Sequence, residues 1–283
     1  MVRASRCHQL NMKTYIINDS EVSRLSVAIH ILEQPELVDR LIVLTDEQWQ
    51  DLQLEGFPAA RMAVIPNHLD NGNIPANPQK APSQTVIYLA RYSEEKQHAL
   101  LLNAFRKVLT AIPDAQLHTY GVGPLRRSLS ARVAEWGLEK AIHINGFTSD
   151  IAQAHKTACC TVLCSTQEGQ SLSAVEAMAY GTPLISFAIK YGPRDILQDR
   201  EAGILVPCGD EEALAAALIA VISDKSLQQS MQQAALRNAQ RYYGSAIAGR
   251  WTAWLQTSER QLDAGAERGN GLEKKRPRAV NVG

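Results

Sequence analysis

From Val86 to Val206 the chain switches repeatedly between short apolar runs and amphipathic segments, and that alternation limits its fold more than any other property. Val86-Ile87-Tyr88-Leu89 reads as a strand, and Leu100, Leu101, Ala104, Phe105 and Val108 recur at the spacing of one helix face. Gln116-Leu117-His118-Thr119-Tyr120 is the next strand, closed by Gly121-Val122-Gly123-Pro124, and a helix from Leu125 to Trp136 stops at Gly137. Further strands are predicted at Ile142-His143-Ile144, Cys160-Thr161-Val162-Leu163-Cys164, Leu184-Ile185-Ser186-Phe187 and Gly203-Ile204-Leu205-Val206. Strands alternating with helices need right-handed crossovers, so the expected fold is α/β with a parallel sheet covered on both faces. Such sheets bind ligands beyond the carboxyl ends of their strands. Arg91, Gly121, Phe147, Glu168 and Tyr191 each follow a strand and therefore share one rim.

The densest chemistry on that rim is Glu168-Gly169-Gln170-Ser171-Leu172-Ser173-Ala174-Val175-Glu176, continued by Ala177-Met178-Ala179-Tyr180-Gly181-Thr182-Pro183. Leu172, Val175, Met178 and Ala179 recur at helical spacing, and Gly181 with Pro183 ends the helix. Glu168 thus lies in a loop and Glu176 one turn into a helix. Between them are unpaired backbone N–H groups of a helix N-terminus, which form an anion site. Carboxylates beside an anion site suit a ligand with hydroxyls next to phosphate, such as a nucleotide sugar. Read locally, Ser173 and Glu176 also fit a capping box, with Ser171 as the alternative helix cap.

This run resembles the signature of retaining glycosyltransferases of family 4, in which two Glu separated by seven residues open on Glu-Gly and close on Glu-Ala-Met-Ala-x-Gly-x-Pro. Here Glu168-Gly169 and Glu176-Ala177-Met178-Ala179-Tyr180-Gly181-Thr182-Pro183 match it. The resemblance implies a GT-B fold: two Rossmann-like domains facing across a cleft. Residues 80–225 then form the C-terminal nucleotide-sugar-binding domain, built on a parallel sheet. Residues 12–70 form a partial N-terminal, acceptor-side Rossmann-like portion whose early strands lie outside the chain. It has strand-like runs at Thr14-Tyr15-Ile16-Ile17, Leu41-Ile42-Val43-Leu44 and Met62-Ala63-Val64-Ile65. Residues 226–262 are C-terminal helices, and 263–283, with Lys274-Lys275-Arg276-Pro277-Arg278, a disordered basic tail. Asn67 to Ser83, rich in Asn, Pro and Gly, reads as a linker. Residues 1 to 11 show no element pattern, and Met12-Lys13 reads as a natural start. The absent strands are expected to leave an unpaired sheet edge and to keep a two-domain cleft from forming.

The resemblance also implies roles. Arg91 and Lys96, in Leu89-Ala90-Arg91-Tyr92-Ser93-Glu94-Glu95-Lys96, stand where the family has an Arg and a Lys on the donor diphosphate. Taken alone they read as ordinary exposed charges. Glu176 is implied to accept the ribose hydroxyls, and Glu168 to face the transferred sugar without acting as a nucleophile. Gly169, Gln170, Ser171 and Leu172 are implied to offer backbone N–H groups to sugar and phosphate. Gln170 departs from the aromatic residue common there, which bears on which sugar is held. Phe147 stands where the family binds the base, core packing being an equal reading. Gly121 reads as the tight strand-to-helix turn, because Gly121-Val122-Gly123 lacks the third glycine of a dinucleotide fingerprint. The loop Lys190-Tyr191-Gly192-Pro193-Arg194-Asp195-Ile196 resembles the poly(glycerol phosphate) alpha-glucosyltransferase branch, with the glycosyltransferases of serine-rich adhesins close behind; a plain Gly-Pro turn is the simpler reading.

Composition narrows the remainder. The 283 residues hold 29 basic and 29 acidic side chains, so no general pull toward nucleic acid is present. No apolar stretch is long enough to span a bilayer, and no signal-peptide core opens the chain. The five cysteines show no CxxC pair, which favours a reducing cytoplasm, and the seven His have no metal-ligand spacing. The expected function is transfer of a hexose or N-acetylhexosamine from a UDP-sugar, with no metal or other cofactor, to a glycan, teichoic acid or protein acceptor. The expected place is the cytoplasm, at the inner face of the membrane, with peripheral membrane contact and oligomer formation left open. The alternative is a non-catalytic nucleotide-sugar-binding chain, or a partner subunit of an adhesin glycosyltransferase.

Overall fold

The computed structural model describes residues 2–7, 12–17, 38–69, 74, 78, 80–198 and 201–269, with the backbone alone at 2–7, 12–17 and 258–269. Its first sheet holds β1 (Val2–Cys7), β2 (Met12–Ile17), β3 (Arg40–Val43) and β4 (Met62–Val64), side by side in chain order. β2, β3 and β4 are parallel, Tyr15 standing opposite Leu41 and Leu41 opposite Met62. β1 is antiparallel to β2, from Val2 opposite Ile17 to Cys7 opposite Met12. This corrects the expectation for residues 1 to 11. The edge of β2 presents a row of main-chain donors and acceptors, and an antiparallel neighbour satisfies them whatever its side-chain pattern. Between β3 and β4, helix α1 (Asp46–Leu54) begins at Thr45, whose hydroxyl accepts the Gln48 N–H. Leu52 of α1 is buried in a cluster with Leu41, Val43, Phe57 and Met62.

The second sheet holds six parallel strands: β5 (Thr85–Leu89), β6 (Gln116–Tyr120), β7 (Ile142–Ile144), β8 (Ala158–Leu163), β9 (Leu184–Phe187) and β10 (Gly203–Val206). The crossovers carry α2 (His98–Ala111), α3 (Arg126–Glu135), α4 (Ile151–Thr157), α5 (Leu172–Ala179) and α6 (Pro193–Ile196). The spatial order β10-β9-β8-β5-β6-β7 starts in the middle and runs outward both ways, so its direction reverses between β5 and β8. Doubly wound sheets bind ligands at such a switch point. β8 and β9 are buried at every residue, which is why three cysteines serve there and just beyond as small apolar fillers. α7 (Glu211–Ser223) and α8 (Lys225–Ala239) follow, capped by Asp210 and Asp224.

α9 (Gly244–Gly269) returns to the first sheet, where Ile247 packs with Ile42 and Ile65, and Trp251 and Trp254 lie alongside. It runs past the boundary predicted at residue 263, because Gln261-Leu262-Asp263-Ala264 interposes no helix breaker. The rest of the predicted tail, 270–283, lies outside the described residues. The predicted linker is tied at both ends. Leu69 donates its N–H to the Tyr242 carbonyl at 2.7 Å. Lys80 Nζ donates to the carbonyls of His155 and Ala158 and to Thr182 Oγ1, at 3.0, 3.1 and 2.5 Å. Burial pushes that amine down to about 8.

The two units also touch through side chains. Lys190 and Tyr191 reach Asp51 of α1, and Arg194 reaches Glu47. On the first unit the contacts come from α1 and from the cluster of Val38, Leu41, Val43, Phe57 and Met62 that receives the Tyr191 ring.

Candidate active site

The loops leaving β5 and β8 are joined across the switch point. After β5 the chain makes one tight turn at Glu94–Lys96, and Gln97 enters α2 in the left-handed region at φ 51°. Tyr88 Oη donates to the Lys96 carbonyl at 2.9 Å, anchoring that turn to the strand beneath. Lys96 Nζ then lies 2.6 Å from Glu168 Oε1, and the two side chains are only 16% and 13% exposed. Ser165 Oγ donates to the same carboxylate oxygen at 2.7 Å, and Thr166 N–H donates to the Glu95 carbonyl at 2.9 Å. Sequence reasoning gave Lys96 and Glu168 separate roles on diphosphate and sugar; the structure makes them a bonded pair.

Arg91 is not part of that pair. Its side chain is 72% exposed and rests on Glu95 at 3.2 Å, one helical turn's spacing away.

Ser171 is the N-cap of α5 and makes no side-chain cap; its hydroxyl meets that of Ser173 at 3.2 Å. Ser173 lies inside the helix, so the predicted capping box does not form. Among the described residues no side chain accepts the first N–H groups of α5, which begins at Leu172, 44% exposed. Glu176 lies one turn into α5, half-buried, and burial raises its carboxyl above the ordinary range. It lines a cavity of about 420 Å³ with Ser149, Asp150, Ile151 and Tyr180. Among the described residues no cation sits within ion-pair distance of it, so hydroxyl donors from a ligand would relieve its desolvation.

Gly121 is set by packing. A Cβ there would come within 2.0 Å of the Ala90 carbonyl oxygen, so only glycine lets the ends of β5 and β6 approach. Phe147 is 76% exposed, which removes the core-packing reading and leaves an aromatic face open on the rim. Gln170 does not open toward the ligand side with its side chain. It is buried, and its Oε1 accepts the Asn67 N–H from beyond β4 at 2.7 Å. Sequence reasoning put Tyr191 on the rim; its ring instead joins the apolar cluster of the first unit, which no local signal could indicate.

Residues 72–238 match the family model described as glycosyl transferases group 1. The chain is 30% identical over 225 residues to an exopolysaccharide phosphotransferase of Streptomyces coelicolor, covering 78% of this chain and 24% of that protein. It is 26% identical over 223 residues to a poly(ribitol-phosphate) alpha-N-acetylglucosaminyltransferase of Staphylococcus aureus, covering 78% and 45%. To a poly(glycerol-phosphate) alpha-glucosyltransferase of Bacillus subtilis it is 24% identical over 218 residues, covering 75% and 32%. The poly(glycerol phosphate) branch is thus one of several of comparable similarity, and the chain spans less than half the length of these relatives. The crystal structure of TarM aligns with a TM-score of 0.77 at 23% identity, over 87% of this chain and 51% of that one, which shows the GT-B fold.

Proposed function

We propose that this chain, which belongs to the group 1 glycosyl transferases, holds a UDP-sugar at the β5–β8 switch point and transfers its hexose or N-acetylhexosamine with retention. The observation that carries this reading is the Lys96–Glu168 pair bridging the two loops beside an α5 N-terminus that no side chain caps. Breaking the bond from the anomeric carbon to phosphate loads negative charge on the leaving diphosphate, and catalysis needs donors already aimed there. Lys96 has three N–H donors and places one on Glu168, leaving two for phosphate oxygens. Arg91 adds a planar fork from the open rim, and the N-terminus of α5 adds main-chain donors and its dipole. The reading gives the charge-stabilising role to these groups rather than to a metal. Glu176 takes the ribose hydroxyls. Glu168, with one oxygen occupied by Lys96 and Ser165, presents the other to the sugar. Gly169, Ser171 and Leu172 contribute backbone contacts, and Phe147 a face for the base.

Two curated relatives are named for the transfer of N-acetylglucosamine and glucose, which supports UDP-glucose or UDP-N-acetylglucosamine here. The acceptor in this reading is a polyol-phosphate or other glycan polymer presented at the inner face of the membrane, where the chain acts as a peripheral protein. Among the described residues no helix is long and apolar enough to cross a membrane. Calorimetry tests the core of the proposal. UDP should bind and NADH should not, and Arg91→Ala should weaken UDP by about 1.5–3 kcal/mol, the range for a charge-assisted hydrogen bond. Unchanged UDP affinity in that variant would remove Arg91 from the site.

A further inference from the structure

Tyr191 is shared between the two units. Its main chain lies on the reactive loop: the Tyr191 N–H donates to the Glu168 carbonyl at 3.1 Å. The next residue, Gly192, has φ 97°, and a Cβ there would stand 3.5 Å from both the Gly169 carbonyl oxygen and Gln170 Cα. The backbone at 191–192 is thus laid directly along residues 168–170. The side chain of Tyr191 points the other way. Its ring is 6% exposed and belongs to the apolar cluster of Val38, Leu41, Val43, Leu52, Phe57 and Met62. Its hydroxyl donates to Asp51 Oδ2 at 2.6 Å, and Lys190 Nζ holds the same carboxylate at 2.9 and 3.0 Å. Burial and the Asp51 carboxylate keep the phenol protonated well above the ordinary tyrosine range, so this donor persists through neutral and mildly alkaline pH.

A second tie runs parallel to it. Gln170, two residues beyond Glu168, sends its side chain across to the Asn67 N–H at 2.7 Å. Glu168 is therefore bracketed by two struts, and both end in the first unit.

We propose that Tyr191 is a positioning residue that sets the Glu168 loop in register with the first unit, so that the sugar held on one side meets an acceptor brought from the other. The inference rests on the glycosyltransferase reading above. Glu168 takes its orientation from Lys96 and Ser165, within its own unit. Tyr191 sets where that whole arrangement stands relative to the other wall of the cleft. A small error there is costly, because a misplacement of about 1 Å can lower a rate by about a hundredfold. Nucleotide affinity should be indifferent to it, since the phosphate and ribose groups all lie on the second unit.

The test uses the full chain and two variants, Tyr191→Phe and Asp51→Asn, which weaken one bond from its two sides and leave the ring in its cluster. Hydrogen exchange over residues 165–171, calorimetry with UDP, and steady-state UDP release from UDP-glucose with a poly(glycerol phosphate) acceptor are measured for each. Both variants should exchange faster at 165–171 and bind UDP within about twofold of the parent. Both should lower kcat about tenfold with KM for UDP-glucose unchanged, a modest fraction of the loss that misplacement can cause. Unaltered exchange at 165–171 in both variants would overturn the inference. A loss of UDP affinity in both would also overturn it, by making Tyr191 part of the donor site. A parent chain that binds no UDP would refute the proposed function, while the exchange measurement would still decide whether Tyr191 holds the loop.

Discussion

His98 sits between the rings of Tyr88 and Tyr92, each centroid 4.7 Å away, and is 1% exposed. Neither ring nitrogen has a hydrogen-bond partner among the described residues. Burial, with Lys96 nearby, pushes its pKa down from 6.5 to about 4. An imidazole whose folded pKa lies below its unfolded one contributes fully above pH 6.5. That contribution is lost as pH falls toward 4, because the unfolded chain binds the proton first. At about 1.36 kcal/mol per pH unit, moving from pH 7 to pH 5 costs the fold about 2 kcal/mol at this residue. His155 adds a similar loss over the same range. It is stacked on Tyr180 at 5.0 Å and pushed by burial to about 3. Asp195 opposes both, because burial near Asp46 raises its carboxyl to about 6, so it favours the fold as pH falls. A parent curve alone therefore mixes these groups with others, among them His118, Glu47 and Glu176. His98→Phe isolates one, since it keeps the ring stack and cannot take a proton. Urea unfolding followed by circular dichroism should show the variant about 1 kcal/mol more stable at pH 7, where two unpaired nitrogens are removed. That advantage should grow by about 2 kcal/mol at pH 5. A stability difference that stays constant from pH 7 to pH 5 would refute the claim that burial holds His98 neutral.

Further outcomes follow from the same geometry. Glu176→Gln should weaken UDP binding, since the ribose contact proposed for it would exist before and during reaction, whereas Glu168→Gln should spare UDP affinity and lower turnover; calorimetry and UDP release separate them, and equal losses of affinity would contradict the division. Gly121→Ala should cost about 3 kcal/mol or more, because its new Cβ would lie 2.0 Å from a carbonyl oxygen on a fixed strand end, and thermal melting reads it directly. Asp195→Asn should stabilise the chain by about 1 kcal/mol at pH 7.5, after discounting for its partial exposure, and by almost nothing below about pH 3, where the carboxyl is largely neutral in both states; the gain is read from chemical denaturation at the two pH values.

The parallel sheet was legible because its central strands are covered on both faces, and such strands appear in sequence as unbroken apolar runs. β8 and β9 are the clearest cases. The loop carboxylate Glu168 and the helical Glu176 were legible for a related reason: a strand, a turn and a helix start are all written locally. What escaped was whatever depends on a partner far along the chain. β1 exists by pairing with an exposed edge, so its own pattern need not announce it. Gln170 and Tyr191 find their partners 103 and 140 residues away. Phe147 could equally have been core or rim, because its residue type fits both. The division has a chemical consequence. In the proposed reading, donor recognition is compact in sequence, resting on residues 91–96 and 168–176 with Phe147 between them. In the same reading, the placement of that donor against the opposite wall depends on long-range contacts, among them those at 51, 67, 170 and 191. A substitution at those positions should alter the rate of transfer while nucleotide binding stays as it was.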